Sequence, residues 1–221
     1  MNKKDDPLFT NRLLAGLAAL ILVLPVLTMP FTVSAQEGEE TLLYSQDFEE
    51  QSAPGWTMEP AWDIVPVESG YALSGAQHAW ANLDAGYWDD FRLKFRIKPS
   101  PGSTVHINLR LAHPARYFIG MGMEPMYLAR QDMSGDFQEG LASGPALPSG
   151  WSEVEISLYG PDITVSVNGS AAMTYSDPEP LDTGRVAFES ISDAATLFDD
   201  IEIWGEAPEN VEELDSSLTW V

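Results

Sequence analysis

The sequence predicts an all-β protein, a two-sheet antiparallel β-sandwich after an N-terminal signal helix, and three observations carry that expectation. From Thr41 onward apolar and polar residues alternate with a period of two, the spacing that sends successive side chains to opposite faces of a strand. Helical periodicity is nearly absent over the same stretch. Turn residues recur between short alternating runs, the pattern of a sandwich rather than of a parallel α/β fold.

Before the alternation begins, Lys3, Lys4 and Arg12 precede an apolar run from Leu13 to Met29, and Val33-Ser34-Ala35 supplies small residues ahead of Gln36. This order is that of a secretory signal, residues 1–35, cleaved after Ala35. Pro25 interrupts the run and Pro30 ends it, which leaves less than the roughly 20 apolar residues that span a bilayer comfortably. An uncleaved N-terminal anchor is the alternative; otherwise the mature form has no membrane partner. Residues 36–41 read as a short linker, 42–204 as the sandwich, and 205–221 as an acidic tail or linker.

The clearest strand is Phe91 to Lys98, with apolar residues on one face and Arg92, Lys94, Arg96 and Lys98 on the other. Val105 to Leu111 alternates in the same way, and the two, joined by the turn-rich Pro99 to Thr104, read as a hairpin. Further strands are expected at Tyr117–Met121, Met126–Gln131, Ser152–Leu158, Ile163–Val167, Ala171–Tyr175, Arg185–Glu189 and Leu197–Trp204. Asn168-Gly169 is the strongest turn signal, because both residues tolerate the positive φ of a type I′ hairpin. That turn also accounts for the Asn168-Gly169-Ser170 glycosylation sequon without a glycan.

The 221 residues carry 11 Lys and Arg against 34 Asp and Glu, a net charge of −23, and no cysteine. Such a field repels nucleic acid. Without disulfides, an exported domain of this length rests on its core, helped by a bound cation. The combination fits a secreted or cell-surface bacterial protein.

Several segments in order resemble a known family. Asp47-Phe48-Glu49 opens the domain, Trp62-Asp63-Ile64 precedes Gly70-Tyr71-Ala72-Leu73, and Trp151 to Ile156 precedes Ile163 to Gly169. Asp182 to Glu189 then leads to Phe198-Asp199-Asp200-Ile201-Glu202-Ile203-Trp204. Together they are similar to the concanavalin A-like lectin/glucanase superfamily, and within it to laminin G-like or 3-keto-disaccharide hydrolase-like jelly-roll domains. The resemblance implies two antiparallel sheets with the first and last strands side by side. It also implies a structural Ca²⁺, with Asp199 at the position of the acidic ligand.

A laminarinase-type site in this superfamily needs paired carboxylates on one strand face, with a third acidic position after them. Glu153-Val154-Glu155 and Asp200-Ile201-Glu202 each supply two, but Leu158 and Gly205 stand where the third belongs. His78, His106 and His113 form no spaced metal motif, and no nucleophile motif occurs. A sugar-binding site needs less: aromatic faces for C–H groups and planar polar side chains for hydroxyl pairs. Trp80, Tyr87 and Trp88 crowd one stretch, and His106, Asn108 and Arg110 share the polar face of one strand. These six are the expected ligand-binding residues, with carbohydrate as partner. Trp56, Trp62, Trp151 and Trp204 are expected to be structural, and the cationic strand face to pair with acidic neighbours. The sequence thus favours a non-catalytic, lectin-like domain. A hydrolase or lyase of 3-keto-disaccharides and an adhesive protein-binding module are the alternatives.

Overall fold

A computed structural model describes residues 40–206. The expected signal segment, and all but the first residues of the expected tail, lie outside the described residues. Thirteen strands and no helix make up the described part: β1 (Thr41–Gln46), β2 (Trp56–Met58), β3 (Trp62–Pro66), β4 (Tyr71–Trp88), β5 (Phe91–Pro99), β6 (Thr104–Ala112), β7 (Ala115–Gly122), β8 (Tyr127–Gln131), β9 (Phe137–Ser143), β10 (Ser152–Tyr159), β11 (Asp162–Val167), β12 (Ser170–Ser176) and β13 (Gly184–Gly205). All pairings are antiparallel.

The strands form two layers joined through the long strands β4 and β13. One layer runs β12-β11-β10-β5-β13-β1, using the second half of β13. The other runs β9-β8-β7-β6-β13-β4-β2, using the first half. The crossing is a bulge: Ser192 pairs with Gln77 and Thr196 with Gly75, so the β13 residues between them face Ala76 alone. Gln77 adopts φ 60° at this corner. Extra residues in one strand bend it sharply, which is what passing between layers requires. The expected strands Arg185–Glu189 and Leu197–Trp204 are therefore the two ends of one strand, and β1 lies beside the second end, as the resemblance implies.

The expected β5–β6 hairpin does not form. β5 pairs with β10 and β13, and β6 pairs with β13 and β7. The apolar faces Phe91-Leu93-Phe95-Ile97 and Val105-Ile107-Leu109 are all buried, each contributing to the core from its own layer. Alternation specifies that each strand has one buried face, and facing layers satisfy this as fully as a shared sheet does. The Asn168-Gly169 turn is as expected, with φ 51° and 73° and Val167 opposite Ser170.

Aromatic rings fill the centre of the core. Phe188 and Phe198 from the two halves of β13 lie 4.6 Å apart, and Phe95 of β5 meets them at 5.6 and 5.9 Å. Trp56 covers Phe188 at 5.3 Å and Trp62 covers Phe198 at 5.8 Å, which makes both tryptophans structural. The cationic face of β5 is met by acidic neighbours: Arg92 binds Glu40 and Glu155, Lys94 lies 3.7 Å from Glu155, and Arg96 reaches Asp199 and Asp200 at 3.3 and 3.1 Å. Exposed pairs of this kind are worth about 0.2–1 kcal/mol each, which suits a mutually neutralised surface.

Candidate functional site

On the second layer, strand pairing aligns one row of residues across five strands. Trp80 of β4 stands opposite Glu189 of β13, which stands opposite His106 of β6; His106 is opposite Gly120 of β7, and Gly120 opposite Tyr127 of β8. Their neighbours in sequence, Ala79, Ala81, Phe188, Val105, Ile107, Ile119, Met121 and Leu128, are core residues. By the period of two, the row itself points out of the sandwich.

Glu189 is the centre of the row. It is only 5% exposed, yet its carboxylate accepts from His78 Nε2 at 2.9 Å and from His106 Nδ1 at 3.0 Å, with Arg116 Nη1 at 3.7 Å. Burial alone would raise its pKa. The bonds from His106 and His78, with the charges of His106 and Arg116, outweigh burial and hold it below the usual glutamate value. An ionised Glu189 only accepts, so each ring nitrogen that faces it carries a proton: Nδ1 of His106 and Nε2 of His78. The remaining nitrogen of His106, Nε2, then accepts from the Tyr127 hydroxyl at 2.8 Å. Tyr127 has its pKa raised by burial and by the charges of Glu139 and Glu189, so it is held as the phenol.

Two details hold this geometry. The Arg116 guanidinium lies between two rings, 5.1 Å from Trp80 and 5.1 Å from Phe118, which confines it beside Glu189. The Tyr127 ring lies over Gly120, where an added Cβ would come within 2.2 Å of the ring. Gly120→Ala is therefore expected to displace Tyr127 from His106 and weaken ligand binding at least about tenfold, with a smaller effect on stability. Titration calorimetry beside a melting curve separates the two effects.

Residues 44–204 match the family model described as a 3-keto-α-glucoside-1,2-lyase-like domain. The chain belongs to this family. No curated protein matches the sequence. Among solved structures, a Bacillus subtilis protein of unknown function with a galectin-like fold is similar at TM-score 0.62 and 14% identity, covering 73% of this chain and 94% of that one. Domain 4 of the Geobacillus stearothermophilus arabinanase AbnA, in complex with arabinotriose, is similar at TM-score 0.52 and 13% identity, covering 76% and 93%. A family 16 endo-glucanase from Bacteroides ovatus is similar at TM-score 0.58 and 11% identity, covering 73% and 100%. These likenesses establish the concanavalin A-like, galectin-like jelly-roll fold.

In this lyase-like domain, only Trp80 and His106 of the six expected ligand residues stand in the outward row. Asn108 is on the same face one step along β6 but fully buried between Ala187 and Phe118; its Nδ2 donates to His106 O at 3.3 Å. Arg110 is 2% exposed and turned to scaffold work. It donates to the carbonyls of Asp89, Gly160 and Leu181 at 3.0, 3.1 and 3.0 Å and to Asp90 Oδ1 at 3.1 Å. Its φ of 46° departs from strand geometry and accompanies a register shift in β6, which explains why it leaves the face that alternation gave it. Trp88 is a core residue packed 6.2 Å from Phe91. Tyr87 is 60% exposed but far along β4 from Trp80, bonded to Arg185.

His78, Arg116, Phe118, Tyr127 and Glu189 complete the site and were not singled out by the sequence. Glu189 and Tyr127 fall in expected strands, but β4 was not read as a strand, so nothing placed Glu189 between His78 and His106.

At the opposite corner, Asp199 is 5% exposed, and its carboxyl is pushed up to about 6 by burial and the charge of Asp200. Its Oδ1 accepts from the Asp200 backbone N–H and its Oδ2 from Arg96. Among the described residues no group of three or more His, Asp or Glu side chains is placed to hold a metal ion. Calcium needs six to eight oxygens. Asp199 and Asp200 supply two carboxylates, both paired with Arg96, so a calcium ion here would draw on backbone carbonyls for the rest. Calcium at Asp199 predicts that a chelator lowers the melting temperature by several degrees; an unchanged melting temperature rules it out.

Proposed function

We propose that the lyase-like domain binds carbohydrate on the outward face of its second layer, with the ligand centred on Glu189, His78, His106 and Tyr127. The observation that carries this reading is the buried Glu189 carboxylate held between two imidazoles, in a row flanked by Trp80 and Tyr127. Oriented donors and acceptors beside aromatic rings are what a sugar's alternating hydroxyl and C–H surface requires. The neighbouring arabinanase domain, solved with arabinotriose, supports a sugar at this fold. Export, secretion and a cell-surface address remain part of the same proposal. A glycan microarray tests it: binding by the wild type that disappears in the double variant His106→Ala, Glu189→Gln is expected, and binding that survives the double change sinks the site.

A second reading is favoured by one observation, the hydrogen-bonded chain Glu189–His106–Tyr127, which is a route for a proton. In a 3-keto glycoside, the proton on C2 is acidified by the adjacent ketone. Tyr127 oxygen would take it as the phenol's own proton passes to His106 Nε2. The freed electron pair would form the C1–C2 double bond as the glycosidic C1–O bond breaks, and the leaving oxygen would take a proton from water. Incubation with a 3-keto-α-glucoside tests this: turnover that is lost in Tyr127→Phe supports it, and no turnover rejects it while leaving binding standing.

A further inference from the structure

Beside the polar centre, the edge strand β9 presents a second aromatic element. Phe137 is 47% exposed, and its ring lies nearly parallel to that of Phe118, 13° between planes and 5.6 Å between centroids. Phe118 is itself 3% exposed and fixed by the edge of Tyr127 at 6.3 Å and by Arg116. Phe137 thus has one face on a rigid support and one available to a ligand. Next to it lies a depression of about 510 Å³ lined by His106, Phe118, Tyr127, Phe137, Glu139 and Gly140. That volume falls within the roughly 300–1,000 Å³ of small-ligand clefts.

The depression is shaped by an irregularity in the β8–β9 ladder. Leu128 pairs with Ala142 and Arg130 with Gln138, so Glu139, Gly140 and Leu141 together face Ala129. Gly140 has φ 66° and open space where a Cβ would point. The bulge pushes Glu139 and Gly140 off the ladder and opens the wall beside His106 and Tyr127. An exposed phenylalanine on an edge strand is a liability for a monomer, and a ligand-binding role accounts for Phe137.

We propose that Phe137 is the platform of a second subsite, which takes the next ring of a glycan whose first ring meets Glu189 and His106, and that this ring is uncharged. The inference rests on the binding reading above. The lining supplies no cation to pair with an anionic ring: Arg116 is committed to Glu189 and to its two aromatic neighbours, whereas Glu139 adds a carboxylate. The protein's net charge of −23 also disfavours uronate or sulfated chains. A neutral pyranose or furanose can instead lay its C–H face on Phe137 and give a hydroxyl proton to Glu139.

Titration calorimetry with glucose, arabinose and their neutral di- and trisaccharides, alongside a digalacturonate, tests this on the wild type, Phe137→Ala and Phe137→Tyr. The wild type is expected to bind at least one neutral oligosaccharide about tenfold more tightly than its monosaccharide and than the digalacturonate. Phe137→Ala is expected to erase that tenfold gain and leave the monosaccharide unchanged, and Phe137→Tyr to retain it. Equal affinity for mono- and oligosaccharide, no loss in Phe137→Ala, or tighter binding of the digalacturonate overturns the subsite while the site at Glu189 stands. If the wild type binds no member of the panel, the binding reading fails and the subsite falls with it.

Discussion

Arg110→Ala is expected to destabilise the fold by about 3–5 kcal/mol, because it removes a buried guanidinium and leaves the backbone carbonyls it satisfies without that donor. Three backbone carbonyls and the Asp90 carboxylate converge on this one side chain. They come from the β4–β5 turn, the β10–β11 turn and the segment before β13, so a single residue ties three connections to β6. In a chain of this size such a loss lowers the melting temperature by roughly 10 °C. Arg110→Lys is expected to recover only part of it, since a point ammonium cannot match the planar fork. Glycan affinity of the folded fraction should stay within about twofold of wild type. A stability cost below about 1 kcal/mol, or lost binding at unchanged stability, would return Arg110 to the ligand site.

Glu189→Ala is expected to abolish carbohydrate binding, by at least about a hundredfold, through the loss of the acceptor that orients His78, His106 and Arg116. Its stability cost is expected near about 1–3 kcal/mol, the range for stranding buried partners. Glu189→Gln keeps the shape but not the charge, so the His106 tautomer is no longer fixed and binding still falls at least about tenfold. The two variants also predict a difference in acid. The folded protein holds Glu189 below its ordinary value of 4.5, so its contribution to stability is present above that value and is lost as the pH falls through and below it. Thermal melts between neutral pH and acid should show this loss in the wild type and not in Glu189→Gln.

The fold was legible because burial has a local signature. Each face-alternating run, from Phe91 to Lys98 through Leu197 to Trp204, lies in a strand except for Met126, which falls just before β8, and the turn at Asn168-Gly169 has the dihedrals its residues favour. Which strands adjoin was less legible. β5 and β6 are consecutive and equally amphipathic, and the same pattern serves one sheet or two facing layers. β4 escaped notice because Gly75, Gln77, Gly86 and several alanines dilute its alternation; its bend and its close contacts need small residues.

The site was half legible for the same reason. His106 and Trp80 could be picked by type, but Glu189 acquires meaning only once β13 is known to run between β4 and β6. Arg110 shows the converse error. Alternation assigned it to the outward face, and a positive φ turned it inward. No periodicity argument sees such a dihedral in advance.

The position of a bound sugar on the sandwich distinguishes the proposed site from every other face. Crystals of the protein soaked with the neutral oligosaccharide that binds most tightly are predicted to show one ring against Glu189, His106 and Tyr127, with the next ring on Phe137. A ligand found instead in the charged depression between Gln46, Lys94, Arg96 and Asp200 on the opposite layer, or beside Tyr87 and Arg185, would contradict it.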